Sequence, residues 1–189
     1  MNIFYRPLLY LFLTLATASH AAPSVNMSES SYAIKGTTAS QLRMQMNIYG
    51  PTFSNTHFDA HTDWNIKWDF NYLDTTNDCQ INKVSVNVNI NYIFPKWEDK
   101  NTGDAQLQNQ WDSYLLHLRT HEQNHAEHGK IAAREIESIL KNLPAMENCQ
   151  ILTDTAKNDV EKIMAEYQSK DVQYDIDTQH GKKEGAVFP

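Results

Sequence analysis

The sequence predicts an α+β fold: an antiparallel β-sheet with a long helix and a second helix packed on one side of it. Two alternating runs around a polar turn predict the sheet, and two later stretches of helical periodicity predict the helices. In the first run Phe58, Ala60, Thr62, Trp64, Ile66, Trp68, Phe70 and Tyr72 hold alternate positions, with Asp59, His61, Asp63, Asn65, Lys67, Asp69 and Asn71 between them. Alternation of this kind is what a strand with one buried face requires. A polar turn spans Asp74 to Asp78, and the pattern resumes at Val84, Val86, Val88, Ile90 and Tyr92. The two runs therefore form a hairpin, which Pro95 is expected to stop. The aromatic face of the hairpin is read as core, not as a ligand stack.

Before the hairpin, Ser24 to Ser31 is polar and expected to fray, and Tyr32 to Gly36 reads as a short strand. Thr37 or Thr38 offers a cap for a helix carrying Leu42, Met44, Met46 and Ile48, although that spacing also fits a strand. Gly50-Pro51 ends it. After the hairpin, Asp104 is an N-cap candidate. The long helix carries Leu107, Trp111, Tyr114, Leu115 and Leu118, then Ile131, Ala132, Ile136, Ile139, Leu140 and Leu143. Gly129 is its one weak point and Pro144 its end. Thr153 or Asp154 opens the second helix, with Ala156, Val160, Ile163, Met164 and Tyr167. From Gln168 the chain reads as a polar tail.

The N-terminus sets the compartment. A positive start through Arg6, an apolar run from Leu8 to Ala18 and a small-residue site at Ser19-His20-Ala21-Ala22 form a secretory signal peptide. Residues 1–21 are assigned to it and residues 22–189 to a single domain. The apolar run is too short for a membrane anchor, so a periplasmic or secreted protein is expected, with no membrane insertion after cleavage. The net charge of −7 and the lack of a basic cluster argue against nucleic acid. Cys79 and Cys149, an even pair in an exported chain, are expected to form a disulfide. Closing so long a loop is worth on the order of 4 kcal/mol in the chain-entropy model.

The long helix also carries His121-Glu122-Gln123-Asn124-His125, an H-E-x-x-H pattern. Residues four apart lie on one helix face, so His121 and His125 can reach one Zn²⁺, while Glu122 can take a proton from a zinc-activated water. Two solvated surface histidines would be the bland alternative. A catalytic zinc needs a third protein ligand. His117 and His128 continue the histidine stripe, but His128 lies about 10 Å along the axis from His121, too far to share one ion with it. The metzincin extension is missing, since position 128 is His and position 131 is Ile. Glu161 or Glu166 of the second helix and His180 of the tail are left as candidates.

The chain resembles a bacterial family of predicted secreted zinc-dependent proteases, long catalogued as a domain of unknown function. The resemblance rests on the signal peptide, Gly50-Pro51, Cys79, Pro95-x-Trp97, Trp111 and Thr120-His121-Glu122-Gln123-Asn124-His125. It continues through Ala133-x-Glu135-Ile136, Cys149, Tyr174-Asp175-x-x-Thr178-x-His180-Gly181 and Gly185-Ala186. Asn124 departs from the pattern, in which Gly is common there. The resemblance implies a zincin-like domain whose tail motif belongs to the site. His180 would be the third ligand, Asp175 would fix a histidine tautomer, and Tyr174 would donate to an oxyanion.

These readings converge on a zinc-dependent hydrolase, a peptidase first, acting on a peptide or protein substrate with Glu122 as general base. Two alternatives stay open: an exported zinc-binding or interaction module without activity, and a zinc amidase acting on cell-wall peptide.

Overall fold

A computed structural model describes residues 22–53 and 56–188. The segment read as a signal peptide lies outside the described residues. The chain runs β1 (Ser24–Ile34), α1 (Ala39–Tyr49), β2 (Thr52–Phe53), β3 (Thr56–His57), β4 (His61–Asp74), β5 (Cys79–Trp97), α2 (Ala105–Lys141) and α3 (Cys149–Thr178). Short 3₁₀ turns occupy Lys100–Thr102 and Lys182–Glu184. The fold is α+β, with three helices among the described residues.

The hairpin forms as the alternation requires: β4 and β5 pair antiparallel, with Ile66 opposite Val88 and Trp64 opposite Ile90. The sheet is nevertheless mixed, because β1 lies parallel to β5 on its other side in the order β1-β5-β4. The expected fraying of Ser24 to Ser31 is corrected, since those residues form most of β1. Their polarity has a place: Ser24, Asn26 and Ser28 exchange side-chain hydrogen bonds with Asn87, Asn89 and Asn91 on the solvent face. Pro95 does not stop β5, which runs on to Trp97. By then β4 has ended, its last partner being Ile93, so β5 has a neighbour only in β1 and a missing N–H breaks little.

Thr38 accepts a hydrogen bond from the Gln41 amide and caps α1, which buries Leu42 and Met46, one helical turn apart. Asp104 caps α2 in the same way through the Leu107 amide at 2.8 Å. The 37-residue α2 runs unbroken across the sheet and ends before Pro144. Gly129 is there for close approach, since a Cβ would lie 2.7 Å from Cγ of Trp64. Asn148, not Thr153 or Asp154, caps α3. The helix also continues through the stretch read as a tail, to Thr178.

Two apolar clusters fill the helix–sheet interface. One joins Val86, Val88 and Ile90 to Ala132, Ile136 and Leu140 of α2 and to Ala156 and Val160 of α3. The other gathers Leu42, Met46, Phe94 and Trp97 around Trp111, Tyr114 and Leu118, with Phe188 among them. Each fully buried side chain of this size contributes about 1.5–3 kcal/mol. The Cys79–Cys149 disulfide forms as expected and ties the start of β5 to the start of α3.

Candidate metal centre

Between the two clusters α2 turns His121, Glu122 and His125 inward, where they are 3%, 5% and 8% exposed. The second half of α3 faces them. Asp171, Tyr174, Asp175 and Thr178 recur there at helical spacing, so they share one face. Buried imidazoles and a buried carboxylate persist only where each polar atom has a partner.

The two imidazoles meet at their Nε2 atoms, 3.3 Å apart. Asp175 Oδ1 lies 3.1 Å from each of them. Zinc bonds of about 2.0–2.1 Å place tetrahedral ligand atoms about 3.3–3.4 Å apart, so the three donors come close to one face of such a tetrahedron. Their Nδ1 atoms are held from behind. Glu184 Oε2 lies 2.9 Å from Nδ1 of His121. Asp171 Oδ1 lies 3.0 Å from Nδ1 of His125 and 2.6 Å from Nδ1 of His128. The Trp64 indole N–H donates to the other oxygen of Asp171. A carboxylate on Nδ1 selects the tautomer whose Nε2 lone pair is free for a metal.

The electrostatics follow from this packing. Burial opposes charge on His121 and His125, but the carboxylates outweigh it and both are raised, His125 to about 10. Asp175 is held well below the usual carboxylate range, because the imidazoles outweigh its burial. Glu122 goes the other way: burial raises it, against the Thr62 hydrogen bond and the nearby imidazoles. The Thr62 hydroxyl donates to Oε2 of Glu122 at 2.6 Å, linking β4 to the motif.

Several candidates fall in different places from those expected. Asp175, read as standing behind a histidine, joins the donor triangle, whereas His180, read as the third ligand, does not belong to that group. His180 lies with Nδ1 3.3 Å from Asp175 Oδ1, its ring against Phe58. The Tyr174 ring stacks on His121, and its hydroxyl donates to Glu184 while accepting from Asn124. That hydroxyl is thus engaged on the Nδ1 side of His121, away from the donor triangle. Asn124, the departure from the family pattern, reaches the site through this contact. Glu161 and Glu166 are exposed, and Glu166 pairs with Lys170. His117 is half-buried, with Nδ1 2.8 Å from the Ser113 carbonyl and its ring against Gly185.

The sequence reading missed Thr62, Asp171 and Glu184. For Asp171 a signal existed: the polar face of Asp171, Tyr174, Asp175 and Thr178 keeps the period of Val160, Ile163 and Tyr167 before it. A search for apolar periodicity alone passes over it. The donors border a cleft of about 770 Å³ whose walls include Phe53, Phe58, His61 and His180. No helix among the described residues is long and apolar enough to cross a membrane.

The chain belongs to the bacterial family of unknown function DUF922, whose model matches residues 29–181. Comparison with curated proteins and with solved structures gives no match.

Proposed function

We propose that this DUF922 protein is an exported zinc-dependent hydrolase, a peptidase first, with a zincin-like arrangement of sheet and H-E-x-x-H helix. One observation carries the reading: three donor atoms 3.1–3.3 Å apart beside a buried carboxylate, all bordering one cleft. His121, His125 and Asp175 would hold the ion. When bound, zinc supplies a Lewis acid that acidifies water and polarises a carbonyl oxygen. Glu122 takes the proton of the attacking water on its carboxylate and passes it to the leaving amine. Its burial raises its affinity for that proton and so strengthens it as the acceptor. Thr62 fixes the carboxylate, so the acceptor need not reorganise during the transfer. Asp171 holds His125, while Tyr174 positions His121 by stacking. The disulfide supports export, because such bonds persist in oxidising compartments. The cleft would take a peptide or protein chain.

A second reading draws on His180. Its place beside Asp175 would let it close the fourth position and make a zinc-binding module without activity. Zinc content after mild dialysis decides between these. Wild type should retain about one ion, and His121→Ala should retain almost none. Asp175→Ala should lose zinc while His180→Ala keeps it. Loss in His180→Ala instead would restore His180 as a ligand, and equal zinc in wild type and His121→Ala would remove the site. Zinc-loaded wild type is then screened on unfolded proteins and cell-wall peptides. Cleavage of the latter alone would favour the amidase.

A further inference from the structure

After Thr178 the backbone leaves helix α3 through two successive left-handed residues, Gln179 and His180, at φ 54° and 52°. Residues other than glycine adopt this region rarely, and tertiary contacts must hold them there. Gly181 follows at φ 77°, where a Cβ would also come within 3.0 Å of the His121 ring. The chain then makes the 3₁₀ turn Lys182–Glu184 and runs back over α2.

Three sets of contacts fasten this segment. Its own loop is closed by the Ala186 amide donating to the Gly181 carbonyl at 3.0 Å and by Lys183 donating to the Asp177 carbonyl. Its far end is anchored: Phe188 is 5% exposed, with its ring edge-on to Trp111 and tilted against Tyr114. Arg43, which also pairs with Asp59, donates to the Phe188 carbonyl at 3.1 Å. Its middle reaches the site: Glu184 Oε2 lies 2.9 Å from Nδ1 of His121, and Glu184 receives the Tyr174 hydroxyl at 2.8 Å. The anchor and the donor triangle are thus joined through one short segment.

We propose that Gly181–Phe188 is a strap that completes the metal centre, with Glu184 as the positioning residue of His121 and Phe188 as the anchor that holds Glu184 in place. The inference rests on the reading that His121 holds zinc. The two histidines are then supported differently. The carboxylate behind His125 comes from helix α3, where three donors converge on Asp171. The carboxylate behind His121 comes from a strap of eight residues, so its grip depends on a hydrophobic anchor that touches no ligand. A group that orients a ligating histidine typically changes metal affinity by about 10–100-fold.

The test measures zinc affinity by chelator competition in the full mature protein, together with the visible spectrum of the Co²⁺-substituted form. Glu184→Ala should weaken zinc about 10–100-fold and alter the Co²⁺ bands, and Glu184→Gln should recover part of the loss because its amide oxygen can still accept from Nδ1. Phe188→Ala should weaken zinc in the wild-type background and have no further effect in Glu184→Ala. Phe188→Leu, which retains an apolar anchor, should bind more tightly than Phe188→Ala and serves in its place if that variant does not fold. Wild-type affinity and spectrum in Glu184→Ala would overturn the proposal. So would equal losses from the Phe188 change in both backgrounds, which would mark a general loss of fold. A wild type that takes up no zinc overturns the metal reading itself, an outcome distinct from either.

Discussion

Helix α2 crosses one sheet, and two neighbouring stretches of it bury different chemistry. Toward the disulfide, Ala132, Ala133, Ile136 and Leu140 are at most 1% exposed and meet the apolar side chains of β5 and α3. Toward the cleft, His121, Glu122 and His125 are nearly as buried, but each needs named partners: Glu184, Thr62, Asp171 and Asp175. Among the described residues no buried side-chain polar atom lacks one. The apolar stretch works through non-directional burial, and a neighbouring apolar residue of similar volume serves nearly as well. The polar stretch tolerates no such exchange, because a lost partner leaves a buried group unpaired. Apolar burial therefore flanks the motif on both sides along α2, and the partnered polar groups lie between the two clusters.

The sharpest way to separate the two stretches is Glu122→Gln. On a substrate that zinc-loaded wild type cleaves, hydrolysis should fall about 10²–10⁴-fold with zinc content unchanged. Wild-type activity in that variant would refute the proton role of Glu122. The opposite dissociation is expected from Ile136→Ala, which should cost about 2–5 kcal/mol in denaturant unfolding yet leave one zinc per folded chain. Loss of zinc from the folded variant would show that the two stretches are not separable.

Proton competition gives a third test. In the metal-free protein the carboxylates hold His121 and His125 raised, His125 to about 10, so zinc must displace their protons. Affinity should weaken as pH falls, by roughly 10–100-fold per pH unit near neutrality. The dependence should continue above pH 7.5, where histidines with the usual value near 6.5 would have flattened it. A titration curve flat from neutral pH upward would disprove the carboxylate clamp.

The smallest effect has an unusual sign. Burial raises Glu122, so its charged form is disfavoured by folding, and at pH 7 the metal-free fold bears that cost. Metal-free Glu122→Gln should melt a few degrees higher than metal-free wild type, since ~1 kcal/mol moves Tm by about 2–4 °C in a domain of this size. The gain should vanish as pH falls through the usual carboxylate value near 4.3, where wild-type Glu122 is protonated in both states. A lower melting temperature for the variant at pH 7 would mean that the Thr62 hydrogen bond outweighs the burial.

Local pattern made much of the molecule legible. The β4–β5 hairpin, the Asp104 cap, the length of α2 and the turn that sets His121 and His125 side by side all follow from periodicity, which acts within a few residues. The Cys79–Cys149 bond follows from an even count in a chain read as exported. Of the parallel strand β1 only the end, Tyr32–Ile34, was legible as a strand, because the Ser and Asn side chains before it gain their role only opposite Asn87, Asn89 and Asn91. The second half of α3 carries its periodicity in polar residues and so resembles a tail.

By itself the sequence determined which helix carries the motif, which of its faces turns inward and that Glu122 accompanies the two histidines. Only the tertiary structure decided that Asp175, not His180, meets both Nε2 atoms, and that Asp171 and Glu184 grip the two rings from behind. Those contacts join residues 46 to 63 positions apart. Spacing along a chain fixes geometry within one helix, whereas the meeting of two helices and a strap is set by how their buried faces pack.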